Sequence, residues 1–121
     1  MGLDVSHGCW HGAYSSFYAW RNKLSEVAGY GSINDYAGYG GSKSWPNSGD
    51  ALIVLLDHSD CDGSLPVKIL APLADRLAEL LPALEIAGDA GGHTGNYAKK
   101  TQVFIDGLRY AASRNEIVEF E

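Results

Sequence analysis

Two short stretches concentrate the side chains able to do chemistry. In Asp57-His58-Ser59-Asp60-Cys61-Asp62-Gly63, three carboxylates and a histidine fall within six residues. Charges of one sign at that density repel unless a cation, a basic side chain or backbone N–H groups compensate. The bland alternative is an acidic turn at Asp62-Gly63, with an Asp or Ser capping the next helix. The segment is no EF-hand: His58 interrupts the acidic alternation, and no Glu stands at the twelfth loop position. The second stretch, Asp4-Val5-Ser6-His7-Gly8-Cys9-Trp10-His11-Gly12, alternates His7, Cys9 and His11 around flexible glycines. With His58, Cys61 and His93 these residues make up a conceivable zinc set, but the chain has no Cys-x-x-Cys pair. A divalent cation is therefore a secondary expectation, and no cofactor is required. Each cysteine reads as apolar filler before it reads as a nucleophile. Ser, His and Asp are all present, yet there is no Gly-x-Ser-x-Gly elbow and no phosphate-cradling P-loop.

These two loops need elements to hold them. Ala13, Phe17, Trp20, Leu24 and Val27 recur at spacings of four and three, one face of a helix that Gly29 would stop. Leu73, Leu77, Leu80, Leu81 and Leu84 mark a second helix, with Pro72 a potential break. Tyr97, Thr101, Phe104, Leu108 and Ala111 mark a third, with Thr94 or Asn96 as cap. Ala51 to Leu56 is continuously apolar and reads as a central strand. Leu3 to Ser6 and the alternating Glu116 to Phe120 read as further strands. The expected fold is α/β in a single domain over residues 1–121. Its sheet has about three strands, near 3–6, 51–57 and 116–120. Three helices, near 13–28, 66–82 and 96–113, pack on it. On that reading His7 and His58 each follow a strand, where open α/β sheets place ligand sites. Residues 29–49, rich in Gly, Ser and Tyr, form a long loop that either folds over the site or stays disordered.

At 121 residues the chain has room for one domain and enough surface to bury a core without staples. A net charge of −6 disfavours extended contact with DNA but leaves room for a locally basic pocket. The start at Met-Gly-Leu-Asp carries no apolar leader and no run reaches membrane-span length. The expected setting is a reducing cytoplasm, with no membrane partner.

The blocks Gly2-Leu3-Asp4-Val5-Ser6-His7, Gly12-Ala13-Tyr14-Ser15 after Trp10, His58-Ser59-Asp60-Cys61-Asp62-Gly63, Pro72 to Leu77, Phe104 to Arg109 and Val118-Glu119-Phe120 resemble a family of small phage and prophage proteins. The resemblance spans most of the chain outside 29–49. It implies a phage protein acting in the host cytoplasm and brings no residue-level activity. Small phage proteins include anti-defence sponges of the Sequestin and Lockin type. The leading expectation is accordingly a binder that sequesters a nucleotide-derived immune signal, of ADP-ribose or cyclic-nucleotide type, as a homo-oligomer. Trp10 or Tyr14 would stack on the base and Asp60 and Asp62 would accept from ribose or amine. His7, His58 and Arg21 would meet the phosphates. One rival is a small phosphodiesterase with His7 and His58 as base and acid and a metal on Asp60 and Asp62. Another is an inhibitor of a host defence enzyme that acts by protein contact.

Overall fold

The computed structural model describes residues 2–37, 39–46, 49–59, 62–87 and 97–121. The fold is α/β. Strand β1 (Gly2–Val5) passes through a 3-10 turn at Ser6–Gly8 into the antiparallel β2 (Trp10–Ala13), pairing Gly2 with Ala13 and Val5 with Trp10. Leu3 and Val5 point inward and are buried, while Gly2 and Asp4 point outward, as the period of two requires. Strand β2 runs directly into helix α1 (Tyr14–Val27). Of the predicted stripe, Phe17, Trp20 and Leu24 are buried, Val27 is half-buried, and Ala13 is exposed at the end of β2. Gly29 ends α1 as expected, with φ 92° and Tyr30 N–H donating back to Ser25 carbonyl at 2.9 Å, a Schellman closure.

The expected central strand is not a strand. Ala51–Leu56 forms a short helix, α2. A continuous apolar run carries no period, and here the deciding signal lies just ahead of it. Asp50 caps the helix, its carboxylate accepting from Leu52 N–H at 3.0 Å. Leu52, Leu55 and Leu56, at spacings of three and one, then bury on one side. In place of one sheet of about three strands, the described residues form two sheets of two strands each. Strand β3 (Ser64–Leu65) leads into helix α3 (Val67–Ala87), which continues past Leu81 and runs unbroken through Pro72 and Pro82. Helix α4 (Tyr97–Ser113) follows, and strand β4 (Val118–Glu119) pairs antiparallel with β3. The proposed caps Thr94 and Asn96 lie outside the described residues. Asn115, with φ 57°, turns the chain out of α4, and Glu116 N–H closes the end on Ala111 carbonyl at 3.0 Å.

The last residues tie the two halves together. Phe120 bridges to Val5, and Asp4 and Glu121 exchange backbone hydrogen bonds at 3.2 and 2.8 Å. Phe120 N–H also donates to Gly63 carbonyl at 2.9 Å. The C-terminal strand therefore lies between the His7 turn and the loop that ends at Gly63. Beneath it, Phe17, Trp20, Trp10 and Phe104 form the aromatic centre of the core, with ring centroids 4.9–5.7 Å apart. One polar thread through this centre is satisfied, Trp20 Nε1–H donating to Thr101 Oγ1 at 2.8 Å and Thr101 to Tyr97 carbonyl at 2.7 Å. Trp10 Nε1–H, in contrast, is buried without a hydrogen-bond acceptor among the described residues. Gly107 lets α4 approach the 6–9 turn. A Cβ there would stand 2.5 Å from Cys9 Sγ and 2.9 Å from His7 carbonyl oxygen.

Asp50 is more than a cap. Tyr30 Oη–H donates to it at 2.5 Å and Arg76 Nε at 3.1 Å, so one carboxylate joins the long loop, α2 and α3. Burial pushes its carboxyl upward, but the bonds from Tyr30, Leu52 and Arg76 outweigh that and hold it below the ordinary value of 3.8. The folded-state value is depressed, so the stabilisation is complete above the unfolded carboxyl range and fades as pH falls through the folded value. Asp50→Ala is expected to cost about 1–2 kcal/mol near neutrality. Urea titrations should show the gap from wild type narrowing toward pH 3; a gap independent of pH would refute the linkage.

Candidate functional site

Helix α1 sends Tyr18 and Arg21, three residues apart, to one side. Arg21 is only 2% exposed, and its guanidinium lies 4.5 Å from the Phe17 ring centroid and 5.3 Å from that of Tyr39. Its Nη1 donates to the carbonyls of Leu55 (3.2 Å) and His58 (2.6 Å), while Tyr39 Oη–H donates to Leu56 carbonyl (2.6 Å). The Leu55 and Leu56 carbonyls lie in the last turn of α2, where the Leu55 carbonyl also accepts from His58 N–H at 3.3 Å, and the His58 carbonyl lies in the chain just beyond it. A cation there also suits the negative end of the helix. Arg21 thus has a structural task before any ligand is considered.

Above it opens a cleft of about 360 Å³ lined by Tyr18, Arg21, Ala37, Tyr39, Asp57, His58 and Ser59. Tyr18 and Tyr39 meet at 62° with centroids 6.0 Å apart, and Tyr18 is 36% exposed, so part of its ring is open to a ligand. The opposite side of α2 bears a second, more apolar cleft of about 400 Å³ that shares Asp57 and His58 and includes Ile53, Val54 and Ile69. His58 is held from three sides. Its ring lies 4.2 Å from that of Phe120, Nδ1 faces Ser59 carbonyl at 2.8 Å and Nε2 faces Ser64 carbonyl at 3.1 Å. A neutral imidazole has one N–H, so both contacts are hydrogen bonds only when the ring carries two protons.

The described residues of the long loop are packed, and Ala37 and Tyr39 among them line the cleft. Tyr36 and Trp45 stack at 3.8 Å and 3°, Lys43 Nζ sits 5.1 Å from the Tyr36 ring, and Tyr36 Oη–H donates to Tyr30 carbonyl at 2.9 Å. Gly41 is obligatory in this packing, since a Cβ would fall 2.1 Å from the Asp35 carbonyl carbon.

Of the residues singled out from sequence, the cleft collects Arg21 and His58. It does not collect His7, and the two polar loops touch the same C-terminal strand without sharing a cavity. His7 lies beneath Tyr110 (ring centroids 6.0 Å) and pairs with Glu116. Trp10 corrects the expected stacking role: it is 3% exposed, stacked on Trp20 at 5.1 Å, with Lys100 Nζ 5.0 Å from its ring. Its alternation in β2 points it inward, which a reading of residues 7–11 as a turn concealed. Tyr14 is half-buried against the core and outside the cleft. Asp62 is exposed. Asp60, Cys61 and His93 lie outside the described residues. His7 and His11 stand four apart but take separate carboxylates, Glu116 and Asp4. Among the described residues no group of three or more His, Cys, Asp or Glu is placed to hold a metal. Cys9 is buried, and burial pushes its thiol up to about 12, far from a thiolate at neutral pH.

Sequence reasoning missed Tyr18 and Tyr39 as cleft residues, while Asp57, noted there as part of the acidic run, does line the cleft. Tyr18 left a usable signal: an aromatic one place off the buried stripe, three residues before a buried arginine. No family model, curated protein or solved structure matches the chain. Among the described residues no helix is long and apolar enough to cross a membrane.

Proposed function

We propose that the protein binds and sequesters a nucleotide-type ligand in the Arg21–His58 cleft. The observation that carries this reading is a buried guanidinium at the base of a tyrosine-walled cleft. Tyr18 offers the open ring on which a base stacks, beside Tyr39. Asp57 accepts from an exocyclic amine or ribose hydroxyl, and Arg21 supplies positive charge toward a phosphate. Binding without turnover is favoured over phosphodiester cleavage by the state of the histidines. Both nitrogens of His58 face main-chain carbonyls, and His7 is not in the cleft, so the acid and base of a cleavage reaction are not assembled there. The anti-defence role rests on the phage-family resemblance, and the cleft supplies a chemistry compatible with it.

The test is calorimetry and native mass spectrometry of the purified protein with ADP-ribose and with a cyclic dinucleotide. One of the two is expected to bind and to be recovered intact after denaturation. Tyr18→Ala should weaken that binding by roughly tenfold, the loss of about one base stack, with little change in stability. Cleaved nucleotide would transfer the site to catalysis; no binding to either, or binding indifferent to Tyr18, would remove the nucleotide reading.

A further inference from the structure

Away from the cleft, Ser6, His7 and Glu116 form a continuous hydrogen-bond chain that neither the fold nor the proposed ligand explains in full. Ser6 Oγ lies 2.8 Å from His7 Nδ1, and His7 Nε2 lies 3.0 Å from Glu116 Oε1. Glu119 backbone N–H donates to the same Ser6 Oγ at 2.9 Å. Glu116 is anionic: the bond from His7 lowers its carboxyl, with Arg114 adding to the effect. The carboxylate can only accept, so in the neutral imidazole His7 Nε2 carries the hydrogen and Nδ1 is the bare nitrogen. That nitrogen receives the Ser6 hydroxyl proton. Of the two lone pairs on Oγ, Glu119 N–H takes one and the other remains open.

We propose that Ser6 is an activated nucleophile, with His7 as its base and Glu116 as the positioning residue, and that it accepts acyl groups from esters. The arrangement lacks the Gly-x-Ser-x-Gly signature because nucleophile and base are neighbours in sequence and the carboxylate comes from 109 residues away. Two features hold it in place. His7 has φ 62°, a left-handed backbone that a non-glycine residue keeps only when its surroundings enforce it. The enforcing contact is α4, which meets the turn at Gly107 with no room for a Cβ. The His7 side chain is 15% exposed and lies beside Tyr110, which is 54% exposed, and Ile117, next in sequence to Glu116, is 44% exposed. That apolar margin fits an aryl or short alkyl ester better than a charged one.

In the acylation step Ser6 Oγ attacks the ester carbonyl carbon and its proton passes to His7 Nδ1. The new Oγ–C bond forms, the ester C–O bond breaks, and the departing oxygen takes the proton from His7. Water repeats the sequence in reverse roles and frees Ser6 as the acid leaves. No oxidant, metal or further reactant enters.

The probe is p-nitrophenyl acetate with the whole chain, following p-nitrophenolate release and mapping the acetylated residue by mass spectrometry. Acetyl on Ser6 is expected. His7→Asn, which tolerates the left-handed backbone, should slow acylation by about 100-fold or more. Glu116→Gln should slow it by roughly tenfold while leaving the half-saturating ester concentration and the thermal midpoint unchanged, a split that a merely structural carboxylate would not give. Ser6→Ala also removes the Glu119 bond, so its loss of labelling counts only alongside an unchanged circular dichroism spectrum. Ser6 left unacetylated while lysines react overturns the proposal. So does Ser6 acetylated equally fast in the His7→Asn and Glu116→Gln proteins.

Discussion

Arg21→Met is expected to lower stability by about 3 kcal/mol and to abolish ligand binding, and Arg21→Lys to restore little of either. Methionine matches the aliphatic stem but leaves the carbonyls of Leu55 and His58 facing an apolar end, where Nη1 had donated at 3.2 and 2.6 Å. The Leu55 carbonyl keeps the His58 N–H at 3.3 Å, but the His58 carbonyl loses its donor, and a carbonyl stranded in this way costs roughly 1–3 kcal/mol. Loss of the stack over Phe17 and Tyr39 adds about 0.5–2 kcal/mol. Relief from burying a charge works the other way, and replacing a whole buried ionic group by apolar residues is often neutral. Here only the donor leaves and its acceptors stay, so the loss wins. Lysine would bring a compact, strongly hydrated ammonium in place of the planar guanidinium that lies against the Phe17 and Tyr39 rings. Urea unfolding and calorimetry measure the two effects separately, and a midpoint within about 2 °C of wild type would end this account.

Gly107→Ala should also cost about 2 kcal/mol or more, against the usual direction for a helix. Alanine in a helix interior is favoured over glycine by roughly 1 kcal/mol. At this position the new Cβ would meet Cys9 Sγ at 2.5 Å, His7 carbonyl oxygen at 2.9 Å and Cys9 Cα at 3.0 Å. Two of those three atoms are backbone and cannot rotate away, and overpacking of this kind typically costs about 1–3 kcal/mol or more. The strain outweighs propensity. Adding Cys9→Ala should recover only part of the loss, because the His7 and Cys9 backbone contacts persist. Thermal unfolding of both variants decides it: a stabilised Gly107→Ala protein would mean that α4 can withdraw from the turn freely.

Much of the helical framework was legible. The stripes of α1, α3 and α4 follow the 3.6 period, and most of their predicted residues are buried, with Val27, Leu81 and Tyr97 half-buried and Ala13 exposed ahead of α1. Residues 51–56 were not, because an unbroken apolar run suits a buried strand and a buried helix equally. The cap at Asp50 was the better guide. The β2 and β3 pairings were hidden for a different reason: strands of four and two residues are too short to establish alternation. In the candidate site, Arg21 and His58 stood out by type and position. Their neighbours did not, since Tyr18 and Tyr39 come from a helix edge and a loop whose meeting is set by tertiary packing. Trp10 was misplaced because its direction depended on a strand that the sequence left invisible. Glu116, the partner of His7, lay at the far end of the chain.

The pairing of Asp4 with Glu121 has a topological meaning. Those two residues face each other across an antiparallel ladder, and the opposite edge of residues 2–5 is taken by residues 10–13. The first strand is therefore the middle one of three, with backbone partners on both edges. Its own edges are occupied, so neither is left open to template pairing with another chain, and opening it would release both neighbours at once.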